Sequence, residues 1–372
     1  MDPRTVTFPI FRRFSALSLT NRGRSVVAVV VVALLLAGGL AAWAFSGHAP
    51  AIVNRALHIS PAPSTPAPPP PCPLTGVPPS DAGAVPQRPV VAVKVENTTD
   101  AYPLVGLQNA DIIYEELVEG GLTRFMALYQ CKDAAKVGPV RSARTTDPKI
   151  LAPFNAHPIL GYSGGQLTVV NALGHAGVLA YDETSGSAAF TRAAAPRISP
   201  HNLFVSVPKL YKRGGKVAAQ EPPPKRAFTY GPKVPNPSRK VSAAVIPFSS
   251  GVNGDWKWNA VTKTWVRQLD GKPMMLEAGG PIQVTNVIVQ EVVVTASNLV
   301  DVLGNHSPEV ALTGTGRAWI LRNGRMVTGT WTRGGQKSVT IFKTKKGERI
   351  PLSPGTTFVE LMPKGMTPTF TK

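Results

Sequence analysis

Cysteine is nearly absent from the chain, with Cys72 and Cys131 alone among 372 residues. Two cysteines allow one disulfide, and without a His/Cys pair at ligand spacing they do not make a zinc site. Acids are scarce as well, 21 Asp+Glu against 40 Lys+Arg, for a formal net charge of +19. That excess says nothing about the fold, but it favours an anionic partner. No G-x-S-x-G, Walker A or H-E-x-x-H sequence occurs. No textual motif therefore announces nucleophilic, P-loop or zinc-protease chemistry, and Gly164-Gly165 is too short a glycine pattern to claim a phosphate loop.

What is present begins with Val26 to Phe45, twenty residues without a charge. At 1.5 Å per residue the run matches a ~30 Å hydrocarbon core. Arg12, Arg13, Arg22 and Arg24 precede it, and no Lys or Arg follows until Arg55. The positive-inside rule then predicts a single transmembrane helix, N-terminus in the cytoplasm and the rest outside. The run exceeds the h-region of a cleaved signal peptide, which favours a retained anchor. An outside location sets nucleic acid aside as a partner. It leaves the cell wall or membrane surface, and a phosphate-bearing envelope glycan or lipid-linked precursor.

The expected order is a basic tail at 1–25, the span at 26–45 and a Pro-rich spacer at 46–79. An α/β (or α+β) domain follows at 80–219, then a connector at 220–240 and a mostly-β domain at 241–372. The spacer ends P-A-P-S-T-P-A-P-P-P-P, a semi-rigid polyproline II run. In an extracytoplasmic chain Cys72 and Cys131 suggest a disulfide. Lipidation of Cys72 is the weaker reading, because no hydrophobic-small-small run precedes it. In the first domain V-V-A-V-K-V-E is a buried strand, and A-D-I-I-Y-E-E and L-T-R-F-M-A-L-Y-Q form a hairpin around Gly120-Gly121. In the second, Asn323-Gly324 marks another hairpin, and tryptophans pack the sheet.

The chemistry-bearing residues gather between Asp111 and Asp147. Arg141 and Arg144 are three apart, so on a helix begun by Gly138-Pro139 they share a face and can grip one phosphate. Arg124 lies at the mouth of the preceding strand; Ser142 and Asn202 complete the candidate ligand set. Asp111, Glu115 and Glu119 are candidate oxygen ligands for Mg²⁺, with Asp111 and Glu115 on one strand face. His201 and Asp147 are candidate general acid/base groups. The competing reading has the arginines paired with Glu115, Glu116 and Glu119 in a structural ion network.

A-D-I-I-Y-E at 110–115, E-G-G-L-T-R-F at 119–125, V-G-P-V-R-S-A-R at 137–144 and P-H-N-L at 200–203 carry a resemblance. G-x-A-W-I-L-R-N-G and G-T-W extend it into the second half. The chain resembles the YerB-like family of bacterial envelope lipoproteins, built from two domains of unknown function, from about Arg88 to the C-terminus. Many relatives carry a lipoprotein cysteine where this chain has an apolar span, so the resemblance implies anchoring by different chemistry. Y-S-G-G-Q-L-T-V-V-N-A-L-G at 162–174 is more loosely similar to the LytR-CpsA-Psr phosphotransferases. Those act on lipid-linked pyrophosphate with arginines and a divalent metal. Their R-x-D-T signature is missing; R-S-A-R-T-T-D stands in its place.

Overall fold

The computed structural model describes residues 33–34, 69–79 and 83–372. The apolar run at 26–45 lies outside these residues save Ala33 and Leu34, which are helical. Among the described residues no helix is long and apolar enough to cross a membrane.

The centre of the fold is one large sheet. Strand β1 (Val91–Glu96) is buried along its whole length, with Val91, Val93 and Val95 facing one core and Ala92 the other. Alternate residues point to opposite faces, so a strand apolar on both sides belongs in the middle of a layered fold. It pairs antiparallel with β3 (Thr123–Tyr129), which pairs with β2 (Ile112–Leu117) across the expected hairpin. Gly120 and Gly121 turn that corner at φ 67° and 73°, a conformation L side chains seldom adopt. On the other side of β1 come β4 (Ile159–Gly161) and β5 (Leu179–Tyr181), both parallel.

The sheet does not stop at the connector. Strand Thr357–Pro363 pairs parallel with β2, and Asn286–Val292, Gly314–Arg322, Arg325–Arg333 and Ile341–Thr344 continue beyond it. The 80–219 segment is α/β and the 241–372 segment is all strand, as expected, but the two contribute to one sheet rather than to separate ones. Sequence order hides this because the join is made by a strand about 240 residues downstream of its partner.

A second, six-stranded sheet includes Ala243–Pro247, Asn253–Asn259 and Thr264–Leu269. Its Trp256 and Trp265 are fully buried in the same core as Val91 and Val93. The tryptophans at 256, 265 and 331 are therefore packing residues. The Asn323-Gly324 hairpin forms with both φ positive, 51° and 64°, as a type I′ turn requires.

The disulfide Cys72–Cys131 is present, spanning 59 residues with Cα atoms 6.0 Å apart. Cys72, Leu74 and Thr75 are buried, and the Ala227 amide donates to the Pro73 carbonyl at 3.1 Å. The spacer expected to run to residue 79 has thus joined the folded part by residue 72. Downstream, the buried Arg322 guanidinium donates to the carbonyls of Gly231 (2.8 Å) and Pro232 (3.1 Å), which ties the connector to the large sheet.

Candidate functional site

Five elements meet at a cavity of about 500 Å³. Arg124 enters from β3, and Arg141, Ser142 and Arg144 come from the segment after Pro139. Glu119 comes from the β2–β3 turn, Gly165 and Gln166 from the start of helix α2 (Leu167–His175), and Val300, Asp301 and Ser307 from the hairpin 294–310.

The segment bearing Arg141 and Arg144 is not helical, contrary to expectation. Helix α1 (Asp147–Leu151) begins only after it. The backbone of 139–143 is already engaged edge-on. Glu96 N donates to Pro139 O (3.0 Å), Arg141 N to Lys94 O (2.9 Å), Ser163 N to Arg141 O (2.9 Å) and Ala143 N to Gly164 O (3.0 Å). An extended chain clamped on both sides offers no i to i−4 bonds. The two arginines reach one cavity all the same, because the chain turns at Arg144, whose amide is held by Asp147 Oδ2 at 2.8 Å.

The three guanidinium groups differ in their partners. Arg144 is tied to Glu119: Nε donates to Oε2 at 2.7 Å and Nη2 lies 2.6 Å from the same atom. Burial alone would raise the Glu119 carboxyl, but the Ser307 hydroxyl and the Arg144 charge hold it below its ordinary value. Arg141 is looser, with Nε 3.7 Å from Glu96 Oε1 and no hydrogen bond made by that buried nitrogen. Arg124 makes one bond, from Nη1 to the Ser142 carbonyl at 3.1 Å, and among the described residues no carboxylate pairs with it. Burial first, then the charges of Arg144 and Arg141, pull Arg124 down to about 9. It remains a cation at neutral pH, in a place that already holds two others. Asp301, also on the wall, is held within its own turn, Oδ1 accepting the amides of Leu303 (2.9 Å) and Asn305 (2.8 Å) and Oδ2 the Asn305 Nδ2 (3.0 Å), and its charge still feels Arg144.

Other expected site residues sit elsewhere. Asp147 is fully buried and paired with Lys94 Nζ at 2.6 Å, next to Glu116. Burial lowers Lys94 to about 8 against the pull of Asp147. With no solvent access Asp147 cannot serve as a general acid/base; it positions Arg144. Asp111, Glu115 and Glu119 do not converge on a metal position. Asp111 Oδ2 accepts the amides of Gln130 (2.6 Å) and Cys131 (3.1 Å). Glu115 is bound by Arg267 Nη2 (2.9 Å), Thr123 Oγ1 (2.7 Å) and Asn97 Nδ2 (3.1 Å). Each acid serves a different local need: the ion-network reading holds for Arg144 with Glu119, while Glu115 is paired with Arg267 and Glu116 with Lys94 instead. His201 Nδ1 lies 3.0 Å from Glu96 Oε2, one residue behind the cavity wall, and faces a neighbouring cleft. Asn202 bonds Ala193 and Arg192 away from the cavity.

The sequence reading missed Glu96, Gln166 and the hairpin 294–310. The signal for Gln166 was available: Gly164, at φ 74°, leads straight into a helix whose first turn opens on the cavity. The hairpin gave no local signal, since its contacts at the cavity span 134 to 188 residues.

Family models match both halves of the chain: the protein of unknown function (DUF3048) N-terminal domain over residues 74–220, and its C-terminal domain over 244–359. The chain belongs to this family. A relative 28% identical over 301 residues, 78% of this chain and 86% of its own length, is the "Putative lipoprotein YerB" of Bacillus subtilis (strain 168). The crystal structure of the YerB protein from Bacillus subtilis matches with a TM-score of 0.68 at 23% identity, over 81% of this chain and 99% of that one. That likeness shows the family's fold. The arginine-bearing segments 119–125 and 137–144 both lie within the N-terminal domain match.

Proposed function

We propose that this protein is an envelope protein that holds a phosphate-bearing anion in the arginine-lined cavity, facing away from the cytoplasm on a membrane anchor. One observation carries the reading. Arg124 is a half-buried cation with no carboxylate partner among the described residues, set beside Arg141 and Arg144. Arg144 has Glu119 and Arg141 has Glu96 at 3.7 Å, so Arg124 is the cation whose charge a ligand would meet. Two further features support it. Arg141 comes no nearer than 3.7 Å to its carboxylate neighbour Glu96, and a planar guanidinium fork matches a phosphate bidentately. The first turn of α2 also leaves backbone N–H groups without helical partners, and these favour an anion. The apolar run at 26–45 and the lipoprotein name of the relative support the anchor and the outward orientation.

Binding is the reading, rather than transfer, because the acids expected to hold Mg²⁺ are engaged with separate partners. Isothermal titration of the full chain with inorganic pyrophosphate tests it. Saturable binding is expected, weakened at least about 100-fold in the Arg124→Met, Arg141→Met double variant with the circular dichroism spectrum unchanged. Retained affinity in that variant, or no saturable binding by wild-type, overturns the proposal.

A further inference from the structure

The cavity has a second character on its outer side. Leu122, Val300 and Val302 line it, and all three are exposed. Leu303, 82% exposed, follows Val302, which is wholly exposed. Leu167, 74% exposed, follows Gln166, which lines the cavity. The folded protein does not require this apolar crest. The turn from Asp301 to Asn305 is made by the Asp301 carboxylate on the Leu303 and Asn305 amides and by Gly304 at φ 82°. Polar side chains at 302 and 303 would serve that turn equally well.

The crest is also fixed at the cavity. Gln166 Nε2 donates to the Val300 carbonyl at 2.6 Å, Ser307 Oγ donates to Glu119, and Thr145 Oγ1 donates to Pro308 O at 3.3 Å. An exposed apolar patch on a rim that is held in place marks a binding surface. Here it borders guanidinium groups, so its occupant must be apolar at one end and anionic at the other.

Building on the proposed anion site, we infer that the ligand is an anionic amphiphile, a phosphate or pyrophosphate monoester of an aliphatic alcohol. Its head meets Arg124 and Arg141, and its chain lies along Leu122, Val300, Val302 and Leu303. The hydrocarbon end gives affinity through burial, and the head gives orientation.

The test compares farnesyl diphosphate with inorganic pyrophosphate, using the full chain carried in phosphatidylcholine nanodiscs with empty discs subtracted. Farnesyl diphosphate is expected to bind roughly 30-fold more tightly, the effect of two or three buried methylenes. In the Val302→Asn, Leu303→Asn variant that advantage should disappear while pyrophosphate affinity stays at the wild-type value. Equal binding of the two ligands by wild-type, or an advantage that survives the variant, overturns the amphiphile inference and leaves the anion site standing. Absence of binding by either ligand overturns the anion site and this inference together.

Discussion

Replacing Arg124 with methionine separates a cation kept for a ligand from one kept for the fold. Arg124 is half-buried, donates once to the Ser142 carbonyl at 3.1 Å, and sits with Arg141 and Arg144 on one cavity wall. Its descent to about 9, from burial and then from its two cationic neighbours, reflects a cost of keeping that charge in the folded state. Converted directly, the descent corresponds to roughly 5 kcal/mol. Water around a half-buried guanidinium, and the bond to Ser142 that methionine gives up, reduce the net to about 1–2 kcal/mol. Methionine keeps most of the apolar stem and removes the charge. R124M is therefore expected to be more stable than wild-type by about 1–2 kcal/mol at pH 7 in dilute, phosphate-free buffer, read by urea denaturation. Added salt should shrink the difference by screening the three like charges. Pyrophosphate should cancel or reverse it, because a ligand at 100 times its Kd adds about 2.7 kcal/mol to the form that binds it. The variant, binding about 10–100-fold more weakly, should gain only about 0.4–1.4 kcal/mol at the same concentration. If R124M is less stable than wild-type in plain buffer, Arg124 has a structural partner and the reasoning fails.

Arg144→Met should do the reverse, losing about 2–3 kcal/mol in the same denaturation assay, because it strands the Glu119 carboxylate at a site only 7% exposed; an unchanged midpoint would remove Glu119 as its anchor. Loss of the disulfide through Cys72→Ser with Cys131→Ser should cost about 3–4 kcal/mol and lower Tm by roughly 6–12 °C in calorimetry, given its 59-residue separation. Asp111 is raised to about 6, by burial against the two backbone amides that bind it. Its folded value lies above its unfolded one, so it contributes stability below about pH 4 that is lost as pH rises through about 6, roughly 3 kcal/mol in all. Asp111→Asn should flatten that part of a stability–pH curve, and an unchanged slope would assign it to other groups.

Much of the fold was legible because its signals are local. The β2–β3 hairpin follows from two apolar runs around Gly120-Gly121, the Asn323-Gly324 turn from a residue pair that tolerates positive φ, and the disulfide from having only two cysteines to pair. The continuity of the large sheet was not legible. Strand Thr357–Pro363 reads as one more strand of the second half, and nothing in its composition says that it pairs with β2.

The arginine segment failed for a related reason. A three-residue spacing suggests a helix face only if the backbone is free to coil, and here Lys94, Glu96, Ser163 and Gly164 take up the hydrogen bonds that a helix would need. The three arginines do line one cavity, while the helical geometry expected to join them was wrong. Arg124, Arg141 and Arg144 still meet, because an extended segment pinned beside β1 and turned at Asp147 delivers side chains to the same hollow as the end of β3. The acids invert that outcome. Asp111 and Glu115 do belong to one strand region, but each is satisfied locally, by the Gln130 and Cys131 amides in one case and by Arg267 in the other. A site built to bind an anion must leave some cation unsatisfied in the free protein. That inequality of partners, with the acids engaged and Arg124 without a carboxylate among the described residues, depends on pairings distant in sequence, such as Arg267 with Glu115 and Ser307 with Glu119. It is therefore visible only once the chain is folded.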